Sequence, residues 1–315
     1  MKKSRLGVMA LILVAMLWGM GYTSCEFAYE ANWSVFSILL SRSVLGFLVC
    51  WFISRKDKIF HNKEMIRDGF QLGITFFAGY ALSLYGQKFT SVSNAALIVS
   101  GGIVLVPIIS YFIFKRKPTR HAVIACIIGV LGSVVLAYQK GFAFQKGDIM
   151  CFLGSLFFSL HFSLLDKITV KYKTPNIIGL QFLAMAICSG IGLIIAGDKL
   201  TGNLNNLFTN TTNLYGLLGV LYYSLFSGII CFLLQGWAQK YVEPAKASLI
   251  VSTEGLFGAI TGILFFAGEL KLQTIIGGLI MIAALIVCNL DEIKYTIQEA
   301  KVRKAVGGMY GKDWN

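Results

Sequence analysis

The sequence predicts an all-α integral membrane protein whose ten transmembrane helices form two inverted five-helix repeats. Three observations predict this: a composition without a water-facing shell, ten apolar runs of membrane-spanning length, and basic residues confined to alternate loops. Of the 315 residues, 56% are hydrophobic and 14% charged. Soluble chains carry about 25% charged residues to cover themselves with polar surface, so lipid must solvate most of this one. The 33 glycines fit membrane helices, in which Gly is commoner than in soluble ones. The runs are long and continuously apolar without period-2 alternation, which excludes barrel strands.

A spanning helix needs about 20 mostly apolar residues. The runs meeting this fall at residues 6–28, 34–53, 69–87, 91–114 and 122–138, then 149–165, 175–196, 214–237, 245–267 and 272–290. The first is too long for a signal-peptide core, and Tyr22 stands where an aliphatic residue would precede a lipoprotein cysteine, so an uncleaved helix is expected. The domains expected are residues 1–139 and 140–290, one repeat each, followed by a basic tail at 291–315.

Charge sets the orientation. With the N-terminus inside and all ten helices spanning, 22 Lys and Arg fall in inner loops and tails and 5 in outer loops; Arg42, within the second helix, completes the 28. This is the positive-inside asymmetry, and it places both termini in the cytoplasm of a multi-pass cell-membrane protein. The net charge of +13 therefore reads as orientation charge, not as a nucleic-acid surface. The tail carries Ile293, Ile297 and Ala300 at helical spacing with Lys301, Arg303 and Lys304, the pattern of a short helix on the inner leaflet. The seven cysteines are odd in number, lie in apolar stretches and form no C-x-x-C. They read as small buried hydrophobes, and neither metal nor cofactor is expected.

The halves repeat. A shift of 152 places residues 95–114 over 247–266, with Leu97-Ile98-Val99-Ser100 matching Leu249-Ile250-Val251-Ser252. The basic loop Lys115-Arg116-Lys117-Pro118-Thr119-Arg120 then corresponds to the neutral Ala267-Gly268-Glu269-Leu270-Lys271. Equivalent loops of opposite charge character lie on opposite faces, as an odd number of helices per repeat demands. Inverted repeats of this kind hold their site near the midplane, between the halves.

Several residues together resemble the EamA-type transporters of the drug/metabolite transporter superfamily: Trp18-Gly19 in the first helix, Arg42 in the second, Pro107 in the fourth, Glu254 in the ninth, and Gly268-Glu269 at its exit. The resemblance runs from about Leu6 to Leu290. It departs at Gly255, where the family often has proline. It implies export of small metabolites or drugs, amino acids among them.

Ionisable groups inside a membrane cost about 2.5–3.5 kcal/mol at mid-helix, so they need partners or water. Arg42 reads either as a clamp between helices or as a substrate or gating contact. Glu254, beside Gly255 and Gly258, reads as a cation or proton site, or as the partner of a basic residue near the cytoplasmic mouth. His161 reads as a satisfied buried histidine or as a titrating group. Glu26 and Glu30 fit interfacial solvation, and Glu269 the start of the last helix. Trp18, Tyr22, Tyr80, Tyr85 and Tyr222 would line an apolar pocket or pack in the core, with Tyr80 the most central. The substrate-binding set is therefore Trp18, Tyr22, Arg42, Tyr80, His161, Tyr222 and Glu254. The expected partners are a small-molecule substrate and the lipid bilayer; oligomeric state leaves no signature. No Gly-rich Lys loop for ATP exists, and three scattered histidines supply no catalytic cluster. The rival readings are an antiporter of phosphorylated metabolites and, from another class, an intramembrane enzyme.

Overall fold

A computed structural model describes residues 2–57, 62–105, 108–109, 111–112, 115, 120–137, 145–169, 171–207, 209–238, 241–242, 250–266, 272–288 and 290. Among them the chain is helical throughout, without a strand: α1 (Lys2–Glu30), α2 (Val35–Ser54), α3 (Lys63–Gln87), α4 (Val92–Gly101), α5 (Arg120–Ala137), α6 (Lys146–Thr169), α7 (Thr174–Ala196), α8 (Thr211–Ser224), α9 (Cys231–Ala238), α10 (Glu254–Phe265) and α11 (Leu272–Cys288). Pro107, the Gly268-Glu269 pair, residues 116–119 of the basic loop and the 291–315 tail lie outside the described residues.

Local chemistry sets the helix ends. Ser34, Asn62, Ser91 and Asn210 each accept a hydrogen bond from the backbone N–H three residues on, at 3.1–3.3 Å. Each satisfies one of the orphan donors of a first turn. Pro175 opens α7, and Gly197 closes it in the left-handed region at φ 66°.

Five segments are long and apolar enough to cross a membrane by length and composition: Ser4–Glu30, Val35–Ser54, Lys146–Leu165, Thr174–Ala196 and Thr211–Ala238. Shorter apolar helices, including Val92–Gly101 and Glu254–Phe265, lie among them. The outer surface is apolar: Phe52 is 62% exposed, Ile195 81% and Leu264 73%. Along α1, Leu6, Met9, Leu13 and Met16 form an exposed stripe at helical spacing, while Leu11, Val14, Ala15 and Trp18 face inward. Helices clad this way on their outer side belong in lipid. The long helix α3 is absent from the five because Gln71, Thr75, Tyr80, Ser83, Tyr85 and Gln87 dilute its apolar run.

The packing pairs elements across the chain. The pairs in contact include α2 with α7, α3 with α6, α1 with α8 and α9, α4 with α10, α1 with α10, α4 with α6, and α5 with α11. Exchanging α1–α5 for α6–α11, with α8 and α9 counted as one helix, maps these pairs onto one another. The 152-residue shift predicts the same exchange.

Two irregularities occupy equivalent places. After Gly101, α4 tightens into a 3₁₀ turn, Gly102–Leu105. In the second half the helical register breaks at Ser252 and Thr253, where the Thr253 Oγ1 hydroxyl donates back to Ile250 O at 2.6 Å, and α10 begins at Glu254. The shift of 152 lays Gly102 over Glu254. Gly255 and Gly258 lie against α4, on Ser100 and Ala96 respectively, so these two interrupted helices meet near their breaks. A third irregularity is the π turn Leu225–Ile230, which joins α8 to α9.

Candidate functional site

The breaks surround a cavity of about 60 Å³. Each wall follows helical spacing. From α1 come Trp18, Tyr22 and Cys25; from α3, Phe76, Tyr80, Ser83 and Gln87. Gly21 of α1, Leu84 of α3, Val99 of α4, Phe158 and Phe162 of α6, Tyr223 at the end of α8, Ser227 of the π turn, Phe232 of α9 and Glu254 of α10 join them among the described residues. The first half contributes its first, third and fourth helices, and the second half contributes their counterparts. The cavity thus lies between the halves, beside the paired helix interruptions.

Four of the expected residues, Trp18, Tyr22, Tyr80 and Glu254, line this space together. Trp18 is fixed by its indole Nε1–H, which donates to the Ser227 carbonyl at 2.7 Å, and by Phe232 at 5.4 Å between ring centroids. Tyr80 stands edge-on to Phe76 at 4.6 Å and to Phe158 at 4.7 Å. Glu254 is half-buried on the wall, in the electrostatic field of Arg42. Among the described residues its carboxylate meets no donor.

Arg42 lies behind that wall. It is completely buried, with its guanidinium between the faces of Tyr80 and Tyr223, 4.3 and 4.2 Å from the ring centroids. Its Nη2 donates to Tyr80 Oη at 2.9 Å and to Ser227 O at 3.1 Å. It therefore ties α2 to α3 and to the π turn. Two aromatic faces and a carbonyl solvate the buried cation in place of a carboxylate.

His161 and Tyr222 are not on the lining. His161 is buried beneath it, stacked on Phe76 at 4.5 Å, with Nε2 3.0 Å from Gln181 Oε1. Tyr222 donates its hydroxyl to Leu17 O at 3.1 Å and stacks on Phe226. Its neighbour Tyr223 takes the place on the cavity. Tyr85 packs edge-on to Phe36.

Sequence reasoning missed Gln87, Tyr223 and Ser227. Gln87 donates from Nε2 to Tyr22 O at 2.8 Å and to Glu26 Oε2 at 3.0 Å, which carries the half-buried Glu26 into the cavity's surroundings. The signal was present: Phe76, Tyr80, Ser83 and Gln87 recur at helical spacing with polar members inside an apolar run. Ser227 acts through its carbonyl, released by the π turn. A main-chain group carries no residue-type signal.

The sequence matches the EamA-like transporter family twice, over residues 5–138 and again over 145–290. It is 26% identical over 283 residues to an uncharacterized transporter of Archaeoglobus fulgidus, covering 90% of this chain and 85% of that one. It is also 24% identical to the uncharacterized transporter YyaM of Bacillus subtilis, over 69% of this chain and 71% of that one. A protein of known crystal structure shares the fold with a TM-score of 0.65 at 14% identity, over 91% of this chain and 97% of the other.

Proposed function

This chain belongs to the EamA-like transporter family, and from that premise we propose that it exports amino acids or related small metabolites across the cytoplasmic membrane by alternating access. Ten spans, inverted halves and cytoplasmic termini complete the proposal, with substrate held by Trp18, Tyr22, Tyr80 and Glu254. Arg42, His161 and Tyr222 then act from behind the lining, as a clamp and as packing. The observation that carries the reading is a cavity bounded by equivalent helices of both halves, at the point where α4 passes into its 3₁₀ turn and the chain turns at Ser252 and Thr253 ahead of α10. Rocking one half against the other would open that space to each side in turn.

An antiporter of phosphorylated metabolites would need cations on the cavity wall, and Arg42 is sealed under Tyr80 and Tyr223. The arrangement favours the exporter. The test compares metabolites inside and outside cells expressing the protein or its Glu254→Gln variant. A set of extracellular metabolites should rise with the wild type and fall back with the variant. If no extracellular metabolite rises above the empty-vector level, export is wrong.

A further inference from the structure

The charge on the described wall is one-sided, while Ser83 and the tyrosines add hydroxyls that both donate and accept. The cavity's one charged wall residue is a carboxylate, Glu254, without a donor among the described residues. Gln87 has both of its bonds on Nε2, and its carbonyl Oε1 is buried with no partner. The indole N–H of Trp18, which would otherwise serve an anion, is spent on Ser227 O. The nearby cation, Arg42, is not on the described wall: it is completely buried against the faces of Tyr80 and Tyr223, and its Nε and Nη1 are buried without a partner. Unsatisfied acceptors seek N–H donors, and a buried acceptor left unpaired is costly. The rest of the wall is aromatic, and ring faces attract cations. Tyr80 and Tyr223 already hold one between them.

We infer that the cavity takes a protonated amine on an apolar or aromatic body, lacking a carboxylate, with the ammonium between the Glu254 carboxylate and Gln87 Oε1. This rests on the transporter reading and narrows it. Among amino acids and their relatives, the decarboxylated amines fit, and zwitterions do not. A substrate carboxylate would enter beside Glu254 with no cation on the described wall, and like charges in a desolvated site repel.

The test uses three probes of one shape: 2-phenylethylamine, phenylalanine and 3-phenylpropionate, a cation, a zwitterion and an anion. Binding to the purified full chain in detergent is measured by titration calorimetry, and counterflow of the same three in proteoliposomes. The amine should bind at least tenfold more tightly than the other two. Glu254→Gln should weaken the amine tenfold or more, and Glu254→Asp, which keeps the charge, only severalfold. Equal or tighter binding of phenylalanine or 3-phenylpropionate overturns the inference. So does an amine affinity unchanged in Glu254→Gln. Where that variant does not fold, the wild-type ranking decides alone. The two readings fail differently: counterflow of the zwitterion or anion without the amine sinks the amine site and leaves the transporter, whereas amine binding without counterflow of any probe sinks the transporter.

Discussion

Arg42 is the residue on which most of the site's geometry converges. Its partners are a hydroxyl, a carbonyl and two ring faces, so their removal separates the contributions. Tyr80→Phe keeps the ring and deletes one hydrogen bond to a charged group, worth about 1.5–3 kcal/mol. Arg42→Leu removes both hydrogen bonds and the cation–π contacts with Tyr80, Tyr223 and, at 6.0 Å, Phe232, the closer two about 2 kcal/mol or more each when desolvated. Thermal unfolding in detergent should therefore show a clear loss for Tyr80→Phe and a larger one for Arg42→Leu. Equal melting temperatures for Arg42→Leu and wild type would show that the cation holds nothing together. That Arg42 is critical was legible in the sequence, because a charge at mid-helix is expensive anywhere in a bilayer. Its choice of aromatic faces was not, since those rings come from α3 and α8.

At the scale of elements, the contact of α1 with α10 is set by Gly19. A Cβ placed there would stand 2.5 Å from Phe257 Cβ and 2.7 Å from both Glu254 O and Gly258 N. Two of these three atoms are backbone and have no rotamer to yield. Gly19→Ala should cost about 1–3 kcal/mol as overpacking and displace Glu254 from the cavity. It should lower both melting temperature and transport, and Phe257→Gly, which removes the Cβ it meets, should not rescue it; full rescue would place the clash in the side chain alone. The π turn Leu225–Ile230 belongs to the same scale. It holds Ser227, whose carbonyl accepts from both Trp18 and Arg42. Removing Phe226 to restore the α register should abolish transport while leaving membrane insertion intact, measured by flux alongside membrane fractionation. Retained flux would deny the turn its role. The Trp-Gly pair was readable as a motif, but the reason for its glycine lies on α10, over 230 residues away.

Across the whole molecule, an ion-pair network joins the halves at the end of α3 remote from Gln87. Lys173 reaches Asp57 at 2.9 Å; Lys171 reaches Glu64 at 3.2 Å and Asp68 at 3.4 Å; the Tyr172 hydroxyl donates to Asp68 at 3.2 Å. Asp68 precedes Tyr80 by twelve residues, about 18 Å along the helix, so these contacts close the proposed cytoplasmic end below the cavity. The Asp57 carboxyl is held below its ordinary range, chiefly by the hydrogen bond from Lys173. Its contribution is present above about pH 4 and lost as acid protonates it. Lys171 is held above its ordinary range, first by the bond to Glu64, so its contribution persists through neutral pH and is lost only in alkali. The closure should hold unchanged from pH 5 to 9 and weaken with salt, because Glu64, Lys171 and Lys173 are exposed, although Asp68 is buried. Lys173→Glu should raise labelling of a cytoplasmic-side reporter cysteine, and adding Asp57→Lys should reverse it. Failure of the double exchange to restore protection would remove the network from the gate.

The order of residues alone settles the solvent, the helical character and the duplication. Apolar length, loop charge and self-similarity are written along the chain and need no partner to be read. It also marked Trp18, Tyr22, Tyr80 and Glu254, since aromatic and ionisable groups inside lipid declare themselves by their cost. The fold alone set which of these share one cavity, because that depends on where helices from opposite halves cross. It also decided that Arg42 faces rings while Glu254 faces open space. The same burial cost can be met by a neighbour or by a ligand, and composition does not distinguish the two.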